Sequence, residues 1–149
     1  CDSHAIDAIW ESVLALAPEA TKSEGAFVEI NRRQLAVRFV AEDVVWFDFD
    51  VICGAGRAAP DYIEIAKIYH TVVVTGLPNL SIAGDDLTRR FLHLVDELYD
   101  RSVNLIVGAD VSMDRLYEYG RLVFEMERCS SRLLEMQSVE YLERPHRPD

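Results

Sequence analysis

Between Val44 and Val107 the chain carries three short apolar runs rich in β-branched residues, and a stretch of helical period separates each run from the next. The runs are Val44–Phe49, Val72–Val74 (flanked by threonines and closed by Gly76 and Pro78) and Val103–Val107. A two-residue turn joins only antiparallel neighbours. Parallel neighbours need a crossover of a dozen or more residues, usually a helix. Strands alternating with amphipathic helices therefore predict parallel strands covered on both faces. The expected fold class is α/β: a short parallel sheet flanked by helices, with an N-terminal β-hairpin and a C-terminal helix.

The helices follow from periodicity. Asp61–Tyr69 places Tyr62, Ile65, Ala66 and Tyr69 on one face, with Pro60 near its first position. Asp85–Arg101 is the strongest pattern, with core positions Leu87, Phe91, Leu94, Val95 and Leu98. A short helix is expected near Met113–Tyr119 and a final one over Glu127–Leu142. Upstream, Ala26–Ile30 and Leu35–Val40 read as hairpin arms separated by NRRQ, where Asn31 can take a positive φ. Leu35, Val37 and Phe39 then share one side, and Ala36, Arg38 and Val40 the other.

The expected organisation is an amphipathic helix over 1–17, a linker over 18–25, an α/β domain over 26–142 and a loose tail over 143–149. Ile6, Ile9, Trp10, Val13 and Leu14 form the stripe of the first helix, which Asp2 or Ser3 can cap. The chain does not begin with Met, which suggests a processed or excised piece, and its start shows no basic segment of a secretory signal. No apolar run nears the ~20 residues that span a bilayer.

The net charge of −11 repels phosphate backbones, which argues against nucleic-acid binding. Lys22 and Lys67 are the two lysines among 15 basic side chains, so 13 are arginines, the residue suited to bidentate pairing with carboxylates and phosphates. Cys1, Cys53 and Cys129 are odd in number and show no CxxC spacing, so buried free thiols in a reducing compartment are expected. The four histidines form no ligand pattern, and no metal site is expected.

A phosphate-cradling P-loop requires GxxxxGK[ST]. Neither lysine follows a glycine, so that motif is absent and the chain alone is not expected to hydrolyse ATP. Two stretches imitate a Walker B strand, VVWFD (Val44–Asp48) and HLVDE (His93–Glu97). The second lies within a helical period with Asp96 and Glu97 expected to face solvent. The first reads as a strand ending in acidic turn residues. Gly54, Gly56 and Ala59 give G-x-G-x-x-A between strand and helix, the order of a dinucleotide-binding turn. The acidic strand before it, Pro60, and the absence of an acid ending the next strand favour a plain turn. There is no GxSxG nucleophile elbow.

Arginines carry the remaining signal. Arg89 and Arg90 follow Asp85 and Asp86 and can pair locally with them or meet a phosphate. Arg128 and Arg132 lie i, i+4 on one helix face, with Glu135 beyond. They suit either a structural Arg–Glu network or phosphate sensing.

Four ordered blocks resemble the C-terminal part of the ZapE/AFG-one-like AAA+ ATPases: FDFDVICG (Phe47–Gly54), DYIEIAKIYHTVVVTGLP (Asp61–Pro78), RRFLHLVDELYDRSVNLIVGA (Arg89–Ala109) and RCSSRLLEMQSVEYL (Arg128–Leu142). The family's RRF matches Arg89, Arg90 and Phe91. Its R-[TC]-x-S-R-L-x-E-M-x-S matches Arg128, Cys129, Ser131, Arg132, Leu133, Glu135, Met136 and Ser138. The resemblance implies a piece of a P-loop ATPase lacking the P-loop. The parent would bind ATP and Mg²⁺ through its N-terminal half, and no cofactor is expected on this piece alone. It further implies Arg89, Arg90, Arg128 and Arg132 as nucleotide-sensing or subunit-interface residues. The implied partners are the N-terminal ATPase half, further copies of the protein and the tubulin-like division polymer FtsZ. The implied location is the bacterial cytoplasm, with mitochondrial relatives. A free-standing dinucleotide-binding protein using the Gly54–Ala59 turn and a purely structural interaction module remain as alternatives.

Overall fold

The computed structural model describes residues 26–41, 43–54, 56–109 and 115–136. The expected first helix, linker and loose tail lie outside these residues, as do residues 137–142 of the expected last helix.

Strands β1 (Ala26–Ile30) and β2 (Arg33–Val37) pair antiparallel with Ile30 opposite Arg33, which leaves a two-residue turn, Asn31-Arg32. Both turn residues have positive φ, 50° and 69°, the signature of a type I′ turn. The second arm therefore starts at Arg33 and not at Leu35, and it stops at Val37. At Arg38 the chain bends and enters a second sheet as β3 (Phe39–Ala41). The expected alternation survives the change of sheet: Leu35, Val37 and Phe39 are buried while Ala36 and Arg38 are exposed.

That second sheet has the order β3-β4-β5-β6, with β4 Val44–Asp48, β5 Thr71–Leu77 and β6 Asn104–Ala109. β3 is antiparallel to β4, whereas β4, β5 and β6 are mutually parallel, as the alternating pattern required. The strands outrun the expected apolar runs at β5, where the flanking threonines join the ladder and Gly76, at φ 78°, lies where the pairing with β6 shifts register.

Helix α1 (Phe49–Ile52) was not expected; Phe49 begins it and does not end the strand. Helix α2 spans Ala59–Ile68, α3 Leu80–Ala83, α4 Asp85–Asp100 and α5 Val123–Glu135. Tyr62, Ile65, Ala66 and Tyr69 are all buried, as the helical period demanded. On α4, Leu87 is only partly buried and Thr88 takes the core position beside Phe91, Leu94, Val95 and Leu98. The Thr88 hydroxyl donates to the Leu80 and Gly84 carbonyls, which satisfies its polarity inside the core. Ser102 ends α4 at φ 57°, with Ser102 N–H donating to Tyr99 O and Val103 N–H to Leu98 O. This is the Schellman arrangement with serine in place of the usual glycine. Of the short helix expected near Met113–Tyr119, residues 113 and 114 lie outside the described residues, and residues 116–119 are not helical. Instead the Ser81 hydroxyl accepts from the Glu118 and Tyr119 amides, and Leu80 N–H donates to Leu116 O.

The core side chains of α2, α4 and α5 form one cluster with Val45, Phe47, Val72, Val74 and Leu105, so these three helices share a face of the sheet. Phe39, Val44, Trp46 and Val73 belong to the opposite face and are buried as well. There the Trp46 indole donates to the Thr75 hydroxyl at 2.9 Å. The hairpin is tied to α2 through Asn31, whose side-chain amide donates to Asp61 at 3.1 Å and whose backbone N–H donates to Glu64.

Candidate functional site

Helices α4 and α5 lie side by side and run in the same direction. Arg121 faces Asp85 at 3.7 Å near their starts, and Arg132 meets Asp96 further along. Asp96 is therefore turned toward α5 and not toward solvent as the helical wheel suggested. Its carboxylate accepts from Arg132 Nη1, and Arg128 Nη2 stands 4.0 Å from its other oxygen. The Arg132 guanidinium also lies 5.1 Å from the Tyr99 ring centre, and the Tyr99 hydroxyl donates to Glu135. The interhelical network thus joins two arginines to an aspartate. Glu135, the expected acidic partner, accepts from the Tyr99 hydroxyl. The signal that could have exposed Asp96 is its spacing from Asp85, Arg89 and Leu92, a stripe at i, i+4, i+7 and i+11.

Two of the four arginines are held and two are outward. Arg132 is 27% exposed at its side chain and Arg128 is 61% exposed. Arg89 is exposed, with no ion pair among the described residues, and Arg90 is half-buried. Neither pairs with Asp85 or Asp86. Arg90 instead donates to the Cys53 carbonyl at 3.3 Å. The contact follows from packing next door: Phe91 meets Phe49 with ring centres 6.2 Å apart, a tilted pair of the kind worth about 0.5–1.5 kcal/mol beyond its buried area. That pair locks α4 onto α1 and aims Arg90 at the turn following it.

Cys53 and Cys129 are buried and free. Burial pushes the Cys53 thiol up to about 12, against the lowering effects of the Tyr62 hydrogen bond and the Arg90 charge. Burial also raises Cys129 to about 12; Asp96 adds to the rise and Arg132 and Arg128 oppose it. Both are neutral packing groups, not nucleophiles.

The two imitation motifs resolve differently. Asp48, the acid of VVWFD, pairs with Arg38 at 2.5 Å across the β3–β4 side of the sheet. The G-x-G-x-x-A turn is tight: a Cβ on Gly54 would stand 2.1 Å from the Asp50 carbonyl oxygen, and Gly56 has φ 89°. A dinucleotide needs free amides at the start of the next helix. Here Ala58 N–H donates to Asp61 Oδ2 at 3.1 Å, Asp61 N–H donates to Ala58 O at 2.9 Å, and Pro60 has no N–H. The buried Asp61 carboxylate takes the place a pyrophosphate would need. No group of His, Cys, Asp or Glu side chains among the described residues could hold a metal ion. No helix among them is long and apolar enough to cross a membrane.

A mixed four-stranded sheet that carries the described helices α2, α4 and α5 on one face, with an Arg–Asp clamp between α4 and α5, defines an α/β unit as the class of protein. The profile of the family described as AFG1-like ATPase matches residues 1–145, and the chain belongs to that family. It is similar to "Cell division protein ZapE" of Escherichia coli (strain K12), 40% identical over 141 residues that cover 95% of this chain and 36% of that protein. An uncharacterized protein of Schizosaccharomyces pombe is 29% identical over 160 residues, covering 89% of this chain and 35% of its own length. "Lactation elevated protein 1 homolog B" of Danio rerio is 27% identical over 125 residues, with 84% and 24% covered. The chain thus spans about a third or less of the length of these relatives. No solved structure matches it.

Proposed function

We propose that this chain is the C-terminal α/β part of an ATPase acting in bacterial cell division, with residues 26–142 as its folded domain and 1–17, 18–25 and 143–149 as helix, linker and tail. In this reading ATP and Mg²⁺ are bound by the portion of the family protein that the chain does not cover. The observation carrying the proposal is the combination of family membership with the lack of any lysine that follows a glycine, so the phosphate cradle must come from elsewhere. The chain contributes the surface that docks on the N-terminal ATPase half and on neighbouring copies. Arg89 and Arg128, the outward pair, reach a phosphate or an adjoining subunit. Arg132 holds α5 on α4, and Arg90 faces the turn after α1. The division role, the FtsZ-type polymer as partner and a cytoplasmic setting come from the resemblance to the ZapE/AFG-one-like ATPases, whose mitochondrial members give the second setting of this reading.

The test uses the full-length ATPase that carries this segment. Arg89→Ala or Arg128→Ala should lower kcat at least tenfold with nucleotide affinity changed less than twofold, as expected for groups acting on the transferring phosphate. Undiminished turnover in both variants, or ATP hydrolysis by the present chain alone, refutes the proposal.

A further inference from the structure

We propose that Glu125 is the positioning residue of Arg89: its carboxylate holds one edge of the Arg89 guanidinium against α5 and leaves the other edge facing outward. The ion pair rests on the register of the two helices. Only its effect on turnover rests on the function proposed above for Arg89.

Register sets the two groups opposite each other. Asp85–Arg121, Asp96–Arg132 and Tyr99–Glu135 each join a residue of α4 to the residue 36 positions later. Helices that run in the same direction keep one offset along their contact, because both advance by the same rise per residue. The shared offset places Glu125 across from Arg89, one turn beyond the Asp85–Arg121 contact. Arg89 belongs to the stripe of Asp85, Leu92 and Asp96, and Glu125 to the matching stripe of Arg121, Arg128 and Arg132. Arg132 already crosses the gap between the helices to an aspartate. Glutamate is one methylene longer, so Arg89 and Glu125 have reach to spare.

The unmet valence of Glu125 calls for the same partner. Its Oε2 is buried and has no hydrogen-bond partner among the described residues. A carboxylate oxygen withdrawn from water without a donor is costly, and a guanidinium supplies both the charge and the N–H that offset the cost. The cations nearest to it on α5 face other acids: Arg121 faces Asp85, and Arg128 and Arg132 face the two oxygens of Asp96. Arg89 is the arginine of this interface left without an ion pair among the described residues. A turn of its side chain about its own rotatable bonds closes the pair, with no shift of either backbone. An arginine gripped by one edge keeps its planar fork oriented and loses less freedom when a second anion arrives. Glu125 thus acts through Arg89 and does not itself touch the reacting atoms.

The first test needs no ATPase. Chemical denaturation of the present chain carrying Arg89→Ala, Glu125→Ala or both should show a coupling of about threefold or more in the unfolding equilibrium constant, smaller at high salt. Glu125→Gln keeps the side chain's shape and should speed phenylglyoxal modification of Arg89 about threefold, with Arg38 unchanged, mapped by mass spectrometry. The second test uses the full-length ATPase that carries this segment. There Glu125→Gln should lower kcat about fivefold with KM for ATP changed less than twofold, and should have no further effect beside Arg89→Ala. The exchanged variant Arg89→Glu/Glu125→Arg should regain stability without regaining turnover, since its guanidinium projects from the other helix. Additive single changes in stability, or unchanged Arg89 reactivity in Glu125→Gln, would overturn the ion pair. Turnover lost with Arg89→Ala but kept with Glu125→Gln would overturn the positioning role alone. Turnover kept with Arg89→Ala would remove the function assigned to Arg89 and the positioning role with it, while the coupling in stability still decides the pair.

Discussion

Removing the Arg132 side chain tests the clamp between α4 and α5 directly. Arg132→Ala deletes the charge-assisted bond to Asp96 and the cation–π contact with Tyr99. Hydrogen bonds to charged groups contribute about 1.5–3 kcal/mol net, and exposed ion pairs about 0.2–1 kcal/mol. With the two side chains 27% and 31% exposed, this pair falls between those limits. About 1–2 kcal/mol is the reasonable share once solvent screening is allowed for. The aromatic contact adds about 0.5–1 kcal/mol. Arg128, 4.0 Å away, can move in and recover a part. The expected loss is about 2 kcal/mol, which for a chain of this size lowers Tm by about 4–8 °C. A double-mutant cycle with Asp96→Ala isolates the pair, and Tyr99→Phe serves as a control that keeps the ring and removes the hydroxyl bonded to Glu135. Thermal melts followed by circular dichroism should give a coupling of about 1–2 kcal/mol between Arg132 and Asp96, weaker at high salt. Additivity of the two single changes within about 0.3 kcal/mol would mean that the clamp contributes nothing, and the assignment of Arg132 as the residue that positions α5 would fall.

Gly54→Ala puts a methyl group 2.1 Å from a backbone carbonyl that cannot swing away, so a loss of about 1–3 kcal/mol is expected in chemical denaturation; an unchanged midpoint would contradict the close approach. Arg32→Gly relieves the φ 69° conformation and should raise stability by about 1 kcal/mol, while a drop would mean that the turn is not type I′. Cys53 and Cys129 hold their protons in the fold up to about pH 12, whereas an unfolded thiol titrates near 8.5. Their stabilising effect is therefore complete below about pH 8.5 and is lost as pH rises toward 12, because the unfolded chain releases protons that the fold retains. Unfolding free energy should be flat from pH 7 to 8 and fall above 9, less steeply in Cys53→Ala, and neither thiol should be alkylated in the native chain at pH 8. Ready alkylation of either at that pH would show that it is not buried as described.

Periodicity made the α/β class legible, because a strand repeats every two residues and a helix every 3.6 wherever one face meets a core. The same local rule exposed the buried faces of α2 and α4 and the alternation through Leu35, Val37 and Phe39. The positive φ of Asn31 was equally legible, since it depends on the residue's own sterics and the turn's length.

What the periodic pattern did not contain is which distant element each polar group would meet. Asp96 looks like a solvent-facing acid on a helical wheel, yet α5 lies against it and brings Arg132 from 36 positions away. Arg90 looks like a partner for the acids of its own first turn, yet the packing of Phe91 on Phe49 directs it to the Cys53 carbonyl. The break at Arg38, where one apparent strand is divided between two sheets, likewise depends on Trp46 O accepting the Arg38 amide at 2.8 Å. By itself the sequence determined class, core faces and the lack of a phosphate loop, because these follow from local sterics, period and residue identity. Only the tertiary structure decided where the arginines point, because an ion pair is chosen by which surfaces the core brings together, and that choice has no local signature in the chain.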